Sequence, residues 1–508
     1  MSILTLLDMI CDDRPDAIAV AAGGLELSYA ELRRRACGAA VVIQRSGASH
    51  CARLGAGSLA EPVGLFGAAA AGVPYAPLNF RLTADAINAL IDRLLPALLV
   101  VDDAFIEVVA PREGLTLMTR AAFLEEAAAQ ACDEPLSWAD PGEPAVLLFT
   151  SGTTGVPKAA ILRHQNLVAY VTGSVEFAGA EPDEAGLVAV PPYHIAGVAA
   201  LLSATFAGRK ITILEGFSPQ EWLDACGRQV VTHAFLVPTM LARIVADLEE
   251  GGAAPPLVRA ISYGGGRMPE AVIRRAVALF PGAAFTNAYG LTETSSTVAV
   301  LTPDDHRAAL AAPAESDIAR RITSVGQPIP GIEVEVRDDD GRVLPAGTIG
   351  AIYLRGDQIA GEYRDSGSLL DADGWFNTRD HGYLDHGGYL HLEGRLDDVI
   401  VRGGENISPG EIERALTEHP AVDDAAAVAI PDDEWGEAVG AAIVLKLTGT
   451  ASAGDLRAWV RDRLRSSRVP TLIQFRQSLP YNEMGKLVRR TVREEMIAEM
   501  AAQFLPTA

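Results

Sequence analysis

The sequence is short of positive charge and lacks a long uninterrupted apolar run. Its 42 Lys and Arg stand against 66 Asp and Glu, for a formal net charge of -24, which disfavours nucleic acid and anionic membrane surfaces as partners. Proline, glycine and polar residues break the apolar runs 63–80 and 187–208, so we expect core segments and no integral membrane segment. Residues 1–10 have no basic start and no cleavage site, so we expect no signal peptide.

Cysteine is also sparse and scattered. The five cysteines form no Cys-x-x-Cys pair and no Cys/His cluster in the sequence, which argues against a zinc site and against a disulfide framework. We therefore predict reduced, mostly buried thiols in a cytoplasmic protein. The cysteines are Cys11, Cys37, Cys51, Cys132 and Cys226.

What the sequence does have is length and apolar residues, which make up 49% of 508 positions and suffice for more than one domain. Up to about residue 325, short apolar runs alternate with helical ones, which predicts an α/β fold of parallel-rich sheets packed with helices. Strict alternation at 332–337 and 350–355 predicts a β-rich subdomain. The last 110 or so residues predict a small α+β domain. Predicted strands include 97–101, 211–214, 233–237, 260–263, 425–430 and 441–447; predicted helices include 2–10, 83–95, 219–228, 269–280, 411–419 and 452–468, and Ser28 with Glu31 predicts a capping box.

One stretch combines a buried strand with a polar loop. The apolar run from Ala145 to Phe149 leads into small hydroxyl residues and glycines and ends on Lys158. Glycines let backbone N–H groups converge on an anion, and the hydroxyls and the lysine add donors and charge, which suits a polyphosphate. The spacing is not that of a Walker loop, and composition alone fits a polar surface loop equally well. The loop residues are Thr150, Ser151, Gly152, Thr153, Thr154 and Gly155.

Four further stretches have an ordinary interpretation when each is taken singly. The glycines of 263–266 leave room for a flat ring against backbone, although most such runs are turns. Residues 287–294 place an aromatic ring, a hydroxyl and a carboxylate close together, which suits Mg²⁺ but also a capped loop. Asp380 and Arg395 suit a ribose diol or an exposed surface. Lys486 follows a glycine and could equally be a solvated lysine.

Taken together, in this order and spacing, these stretches resemble the adenylate-forming superfamily of acyl-CoA synthetases, luciferases and peptide-synthetase adenylation domains. The motifs Thr150–Lys158, Tyr289–Glu293, Gly394–Asp398 and Gly485-Lys486 carry the resemblance, which spans nearly the whole chain. It implies an N-terminal adenylation domain, 1–396, and a mobile C-terminal lid domain, 397–508, that rotates about Asp397. It also implies ATP, Mg²⁺ and coenzyme A: a carboxylic acid first becomes an acyl-adenylate, and a thiol then takes the acyl group.

The resemblance also implies a role for each matching residue. Lys486 would bridge the α-phosphate and the substrate carboxylate, because two anions approach each other only when their charge is screened. Glu293 would hold Mg²⁺, with Thr292 as a hydroxyl donor. Tyr289 would stack on adenine, while Asp380 and Arg395 would bind the ribose. The remaining residues implied to bind ATP or coenzyme A are Thr150, Ser151, Gly152, Thr153, Thr154, Gly155, Lys158, Gly265, Gly266, Asn287, Ala288, Gly403 and Gly404.

Three positions depart from the family pattern. Arg379 stands where the family commonly has glycine, and it faces either phosphate or solvent; we favour solvent. The segment 45–60 lacks the usual Gly-Asp-x-Val strand, which suggests a looser loop. Residues 482–484 replace a run that is commonly rich in Ser and Thr.

The resemblance narrows the acid substrate. His194 matches the family position at the carboxylate end of the acyl pocket, although it could be a satisfied core histidine. No aspartate for an amino group occurs in 191–197, so an amino acid is disfavoured. We expect an apolar monocarboxylic acid, a fatty acid of medium to long chain before an aryl acid, and a place in fatty acid metabolism. The predicted pocket walls are Val198, Leu201, Val237, Met240 and Gly264.

Two alternatives stay open at this point. The acyl group could pass to a separate acyl carrier protein instead of coenzyme A, or the chain could be a non-enzymatic ATP-binding scaffold. A homodimer also stays open. Because every motif group is present, including Lys486, we favour the enzyme.

Overall fold

The chain divides into two units in this computed structural model. The first unit is Met1–Ile322, Gly326–Glu333 and Arg355–Phe376, and the second is Thr323–Val325, Val334–Leu354 and Asn377–Ala508. The domain boundary at 396/397 stays a prediction. The structure describes residues 1–133, 139–150, 157–228, 230–314, 316–395, 398–402, 405–432, 435–482 and 485–503.

Helices occur throughout both units. Helix α2 begins at the predicted capping box: Ser28 Oγ accepts from Glu31 N at 3.2 Å, and Ser28 N donates to the Glu31 carboxylate at 3.1 Å. The helices are α1 (Ile3–Asp13), α2 (Tyr29–Ser46), α3 (Ala60–Ala71), α4 (Ala84–Asp92), α5 (Arg120–Ala129), α6 (His164–Ser174), α7 (Ile195–Ala207), α8 (Pro219–Arg228), α9 (Pro238–Glu249), α10 (Glu270–Leu279), α11 (Pro303–Ala311), α12 (Asp317–Arg320), α13 (Pro409–Thr417), α14 (Ala453–Arg461) and α15 (Arg489–Gln503).

As predicted from the sequence, strands that alternate with helices come first along the chain, and a stretch of successive strands follows. They are β1 (Ile18–Ala22), β2 (Leu25–Ser28), β3 (His50–Leu54), β4 (Tyr75–Leu78), β5 (Ala97–Val101), β6 (Leu115–Thr119), β7 (Pro144–Thr150), β8 (Lys158–Arg163), β9 (Ala185–Val188), β10 (Lys210–Ile213), β11 (His233–Leu236), β12 (Ala260–Gly264), β13 (Ala284–Leu291), β14 (Ser296–Leu301), β15 (Gln327–Pro328), β16 (Glu333–Arg337), β17 (Gly350–Arg355), β18 (Glu362–Tyr363), β19 (Gly367–Ser368), β20 (Phe376–Leu384), β21 (Leu390–Arg395), β22 (Ile400–Arg402), β23 (Glu405–Ile407), β24 (Val422–Asp432), β25 (Gly436–Leu445) and β26 (Leu472–Arg476).

Two sheets form the frame of the first unit. One has the order β15-β14-β13-β12-β11-β9-β10-β1-β2, and the other β19-β18-β8-β7-β4-β3-β5-β6. Their central strands pair in parallel, as β11 with β12 and β12 with β13. Strand β5, Ala-Leu-Leu-Val-Val, is buried along its whole length, as expected for a parallel strand covered on both faces. The predicted α/β fold class is therefore confirmed.

The second unit is built on two further sheets. The first has the strand order β16-β17-β20-β21, and β20 and β21 are antiparallel. All residues of its strands belong to this unit except three at strand ends: Glu333, Arg355 and Phe376. The second has the order β23-β22-β25-β24, with β26 beside β25. Its core lies under α13, α14 and α15, where Leu416 and Met496 are fully buried. The helix predicted at 452–468 is too long, since α14 ends at Arg461.

Two expectations from the sequence are wrong. Residues 50–54, expected in a looser loop, form the buried strand β3. Cys37 and Cys132, expected as thiols, form a disulfide with a Cα–Cα distance of 5.9 Å, whereas the other three cysteines are buried thiols. The cause is close packing of α2 on α5: a Cβ on Gly38 would lie 2.0 Å from the carbonyl oxygen of Ala127. A sequence separation of 95 residues gives no sign of this approach.

Candidate active site

The ends of the predicted phosphate loop lie side by side. Thr150 is the last residue of β7 and Lys158 the first of β8, and the two pair directly across this antiparallel ladder. Thr150 Oγ1 donates to the Lys158 carbonyl oxygen at 3.5 Å. The ladder therefore fixes where the loop starts and where it ends. Five predicted ligands within it lie outside the described residues: Ser151, Gly152, Thr153, Thr154 and Gly155.

Tyr363 connects this loop to the predicted metal ligand, a role that no sequence pattern indicated. Its hydroxyl donates to Glu293 Oε1 and lies 3.4 Å from Thr150 Oγ1. The ammonium of Lys158 lies 5.9 Å from the centre of its ring. Tyr363 reaches this position because β18 pairs with β8, Tyr363 opposite Ala160. Thr150, Lys158 and Glu293, far apart in sequence, thus surround one tyrosine.

The backbone around Glu293 is held in an unusual conformation. Ala360 N and Gly361 N both donate to the Glu293 carbonyl oxygen at 2.9 Å. Thr292 and Glu293 occupy a 3₁₀ turn, and it is followed by Ser295 and Ser296 with φ of 55° and 114°. Positive φ in a residue other than glycine is costly, and it is concentrated at functional sites. Carboxylate and hydroxyl oxygens in this turn form a donor set that suits a hard divalent cation.

The residues predicted to surround adenine lie on two neighbouring parallel strands. Gly264 on β12 is paired with Ala288 on β13, and a Cβ on Gly264 would lie 2.1 Å from the Ala288 carbonyl oxygen. Close approach of the strands therefore requires this glycine. Asn287 and Tyr289 alternate with Ala288 along β13, so these two buried side chains share one face. The side chain of Ala288 points to the opposite face, so Ala288 presents only its backbone on the face that Asn287 and Tyr289 share. Gly265 has φ of 81° and, with Gly266, forms the bend after β12.

The predicted acyl-pocket residues fall into two groups. His194 caps the start of α7, and its ring centre lies 4.7 Å from that of Tyr193. Val198 and Leu201, buried on α7, line a cavity of about 40 Å³ in the first unit. Val237 and Met240 are buried around the start of α9. Among the described residues, the lining of that cavity includes neither these two nor Gly264.

The predicted ribose ligands are cross-strand partners in the second unit. Asp380 on β20 pairs with Arg395 on β21, and Arg395 Nε lies 3.4 Å from Asp380 Oδ1. Thr378 Oγ1 accepts from Asp380 N at 3.0 Å, and Asp380 is buried. Arg379 between them has φ of 62° and is exposed. The position that is commonly glycine in the family therefore has a left-handed conformation here, and an arginine tolerates it.

Lys486 lies on a tight hairpin of the same unit. Tyr481 bridges to Leu487, Lys486 N donates to Asn482 Oδ1 at 2.9 Å, and Gly485 turns the chain with φ of 68°. The Tyr481 hydroxyl donates to Asp424 at 2.8 Å and anchors the hairpin.

The surroundings of the Lys486 ammonium join it to the ribose pair. The pKa of Lys486 is lowered from its ordinary value of 10.5, first by desolvation and then by the charge of Arg395, while Asp380 and Asp398 oppose the shift. The Lys486 side chain is nevertheless exposed as a whole. Lys486 thus lies within range of the charges of Asp380 and Arg395 in the second unit. The predicted residues Asp397, Gly403 and Gly404 lie outside the described residues.

Comparison with known proteins shows the family to which the chain belongs. The profile described as AMP-binding enzyme matches residues 7–364, and that of the AMP-binding enzyme C-terminal domain matches 411–486. A feruloyl-CoA synthase of Amycolatopsis sp is 33% identical over 94% of this chain and 96% of that protein. The fatty acid–[acyl-carrier-protein] ligase ScoC of Streptomyces coeruleorubidus is 30% identical over 96% of this chain and 95% of that protein.

A solved structure matches over nearly the whole chain as well. The o-succinylbenzoate CoA synthetase MenE from Bacillus subtilis, in complex with the acyl-adenylate intermediate OSB-AMP, has a TM-score of 0.80 and 26% identity, and the match covers 96% of this chain and 97% of that one. In the part of our chain that the structure describes, no helix is long and apolar enough to cross a membrane.

Proposed function

This chain belongs to the AMP-binding enzyme family, as an AMP-forming acid–thiol ligase of the acyl-CoA synthetase type, and we propose that its substrate is an apolar monocarboxylic acid. A carboxylate oxygen of the acid attacks the α-phosphorus of ATP, the bond from that phosphorus to the β-phosphate oxygen breaks, and pyrophosphate leaves. The thiolate sulfur of coenzyme A then attacks the acyl carbonyl, the bond from carbon to the AMP oxygen breaks, and AMP leaves.

The observation that carries this proposal is the grouping of Lys486 with Asp380 and Arg395. If Asp380 and Arg395 bind the ribose, an ammonium that senses both charges is close to the α-phosphate of the same nucleotide. Carboxylate and phosphate repel each other, so a positive charge fixed between them lowers the barrier to their reaction. Lys486 is therefore assigned to the first half-reaction.

The phosphate and metal ligands are assigned to the first unit. Lys158 and the hydroxyl of Thr150 would hold the β- and γ-phosphates together with the loop that they enclose. Glu293, with Thr292 beside it, would hold Mg²⁺, and Tyr363 would orient the Glu293 carboxylate through its hydrogen bond. When bound, Mg²⁺ supplies positive charge that neutralises the phosphates. Tyr289 would stack on adenine with Asn287 along its edge, and the backbones of Gly265, Gly266 and Ala288 would approach the ring.

Rotation of the small domain would separate the two half-reactions. We assign 1–396 to acid, ATP and Mg²⁺ binding and 397–508 to a lid with Asp397 as hinge, since closure of a lid is a common way to change a catalytic site between steps. The rotation would remove Lys486 and present Gly403 and Gly404 for thiolysis. A cytoplasmic location and a homodimer stay predictions.

Relatives favour two classes of acid. The feruloyl-CoA synthase favours an aryl acid, and ScoC favours a fatty acid and, as a second candidate function, a separate acyl carrier protein as acceptor. We propose that His194 lies at the carboxylate end, with Val198, Leu201, Val237, Met240 and Gly264 around the acyl group.

A panel of carboxylic acids, assayed by ATP-dependent pyrophosphate release, tests the proposal. At least one apolar acid should release pyrophosphate, and coenzyme A should then yield AMP and a thioester. Product formed with a phosphopantetheinylated carrier protein but not with coenzyme A would establish the second candidate. A panel in which no acid supports pyrophosphate release would contradict both.

A further inference from the structure

A small cavity in the first unit has a mostly apolar wall. It lies among α3, β4, α7, β9 and β10 and has a volume of about 40 Å³. Most of its lining is aliphatic, including Leu65, Val198, Leu201 and Ile213. Its polar lining residues are Glu61 and Tyr75.

The Glu61 carboxylate already accepts hydrogen bonds from the protein, whereas the Tyr75 hydroxyl forms none with the residues that the structure describes. Glu61 Oε1 accepts from Arg53 Nε at 3.1 Å, and Glu61 Oε2 accepts from the hydroxyl of Ser58 at 2.9 Å. Arg53 in turn donates to Asp102 at 2.6 Å. Tyr75 is only 3% exposed, yet within the described part of the chain its hydroxyl has no hydrogen-bond partner. Because buried hydroxyls are nearly always bonded, this one calls for a partner.

Water is a poor partner at this place. A volume of about 40 Å³ could admit roughly three water molecules, but each needs two to four polar neighbours. Glu61 already accepts from Arg53 and Ser58, so among the described residues the Tyr75 hydroxyl is the one polar side-chain group of this lining without a partner. A molecule that is apolar along its length and has a single polar group at its end fits this wall better.

The cavity also lies where the acyl group of the proposed ligase would extend. Pro192 and Gly197, which line it, flank His194, assigned above to the carboxylate end. From Ile195 to Leu201 helix α7 rises about 9 Å, so the cavity is within reach of the far end of an acid.

We propose, resting on the ligase function above, that this cavity holds the distal end of the substrate acid and that the Tyr75 hydroxyl binds a neutral hydroxyl group there. The Tyr75 oxygen can donate to that group or accept from it. A second carboxylate is disfavoured, because Glu61 lies in the same wall and like charges repel at close range. Tyr75 is thus a specificity residue for acids that are hydroxylated at the end remote from the carboxyl group.

Two pairs of acids test this assignment: cinnamic against 4-hydroxycinnamic acid, and octanoic against 8-hydroxyoctanoic acid. The readout is the ratio of kcat/KM for pyrophosphate release within each pair. The wild type should favour the hydroxylated member of at least one pair by roughly three- to tenfold, the usual effect of one neutral hydrogen bond. Tyr75→Phe should bring that ratio close to one, mainly by lowering kcat/KM for the hydroxylated acid.

Tyr29→Phe is the matched control. Tyr29 is a fully buried tyrosine of the same unit, and its hydroxyl donates to the carbonyl oxygens of Ala204 and Arg209, so the preference within each pair should persist in this variant. Tyr75→Phe should fold as well as the wild type, since the hydroxyl it loses has no protein partner; a thermal melt checks this.

Calorimetric binding of the same four acids gives a readout that does not depend on turnover. A preference that is absent from the wild type, or one that Tyr75→Phe leaves intact in both binding and turnover, overturns the assignment and leaves a cavity for water only. Acids that bind with the Tyr75-dependent preference but release no pyrophosphate would instead refute the ligase function and retain the site.

Discussion

Each unit of the molecule contains an arginine bound by two carboxylates, and the two arginines have different surroundings. In the first unit Arg53, with a side chain 1% exposed, lies between Glu61 and Asp102 at 3.1 and 2.6 Å. In the second, Arg489, 18% exposed, lies between Glu413 and Asp398 at 2.7 and 3.3 Å. Both arginines form ion pairs with two carboxylates, but the two arginines hold different parts of the structure in place.

Arg53 joins parts of the frame, whereas Arg489 holds the start of α15, close in sequence to Lys486. Arg53 lies on β3, and its partners lie on α3 and just after β5, so it ties a helix to two neighbouring parallel strands. Arg489 begins α15 only three residues after Lys486, and Glu413 holds it to α13. Loss of a partner from a buried ion pair leaves an uncompensated charge in both cases. One motif, an arginine between two carboxylates, thus stabilises the frame in one unit and fixes the start of a helix in the other.

The largest effect is expected when the ammonium group of Lys486 is removed. Lys486→Ala should lower acyl-adenylate formation by about 10³-fold or more, because a charge aimed at the transition state is lost. Thioester formation from supplied acyl-AMP should change by only a few-fold. Pyrophosphate release and thioester formation measure the two steps separately.

Lys446→Ala is the control for Lys486→Ala. This exposed lysine of the same unit donates to the Pro420 carbonyl oxygen at 2.9 Å, and its loss should spare both steps. Equal loss of the two half-reactions in Lys486→Ala would contradict the assigned role.

Arg53→Met should have the next largest effect, on stability. Glu61 and Asp102 would be left buried without their cation, so the free energy of unfolding should fall by about 3–5 kcal/mol, measured by denaturant titration. Arg307→Met, at an exposed ion pair with Asp304, should change it by less than about 1 kcal/mol. A similar loss of unfolding free energy in both variants would show that the buried Arg53 contributes no more to stability than an exposed arginine.

Arg489→Met should affect adenylation more than thiolysis. A shift of the hairpin that bears Lys486 should lower the rate of pyrophosphate release roughly 10- to 100-fold. Arg489→Lys should restore part of that rate, since it keeps the charge opposite Glu413. If Arg489→Met lowered the melting temperature but left the rate per folded molecule normal, Arg489 would contribute only to stability, as Arg53 does.

The pH dependence of adenylation should show the lowered pKa of Lys486. As pH rises, its ammonium loses its proton below the ordinary pKa of 10.5, so adenylation should fall in that range while thiolysis of supplied acyl-AMP does not. The unfolded chain keeps this proton to higher pH, so this group alone makes stability increase with pH between the two pKa values. An adenylation rate that stays flat up to pH 10.5 would refute the lowered pKa.

Tyr363→Phe should have the smallest effect. The Glu293 carboxylate would lose one donated hydrogen bond, and the Mg²⁺ concentration for half-maximal adenylation should rise about threefold, within the usual range for such a bond. Tyr170→Phe, another buried tyrosine of the first unit, should leave it unchanged. No change in Tyr363→Phe would mean that Tyr363 only fills space between β18 and the loop.

Sequence patterns predicted what depends on neighbouring residues. The capping box at Ser28 and the strand at 97–101 follow from local hydrogen bonding and apolar runs, and both are confirmed. The motifs containing Glu293 and Lys486 were recognised because each is a contiguous stretch.

What the patterns missed depends on partners distant in sequence. Tyr363 reaches Glu293 only because β18 pairs with β8, and Cys37 meets Cys132 only because α2 packs closely on α5. The missing Gly-Asp-x-Val pattern suggested a loop at 45–60, yet β3 forms there, and its Arg53 is tolerated because Asp102, 49 positions away, and Glu61 compensate its charge.

The direct pairing of Thr150 with Lys158 has a practical consequence for redesign. Because the ladder pairs Thr150 directly with Lys158, a library that varies only positions 151–156 should leave the backbone of the flanking lysine in register. If β12 and β13 bind the nucleotide base as proposed, a preference for GTP over ATP could then be selected on those strands independently of the proposed phosphate loop.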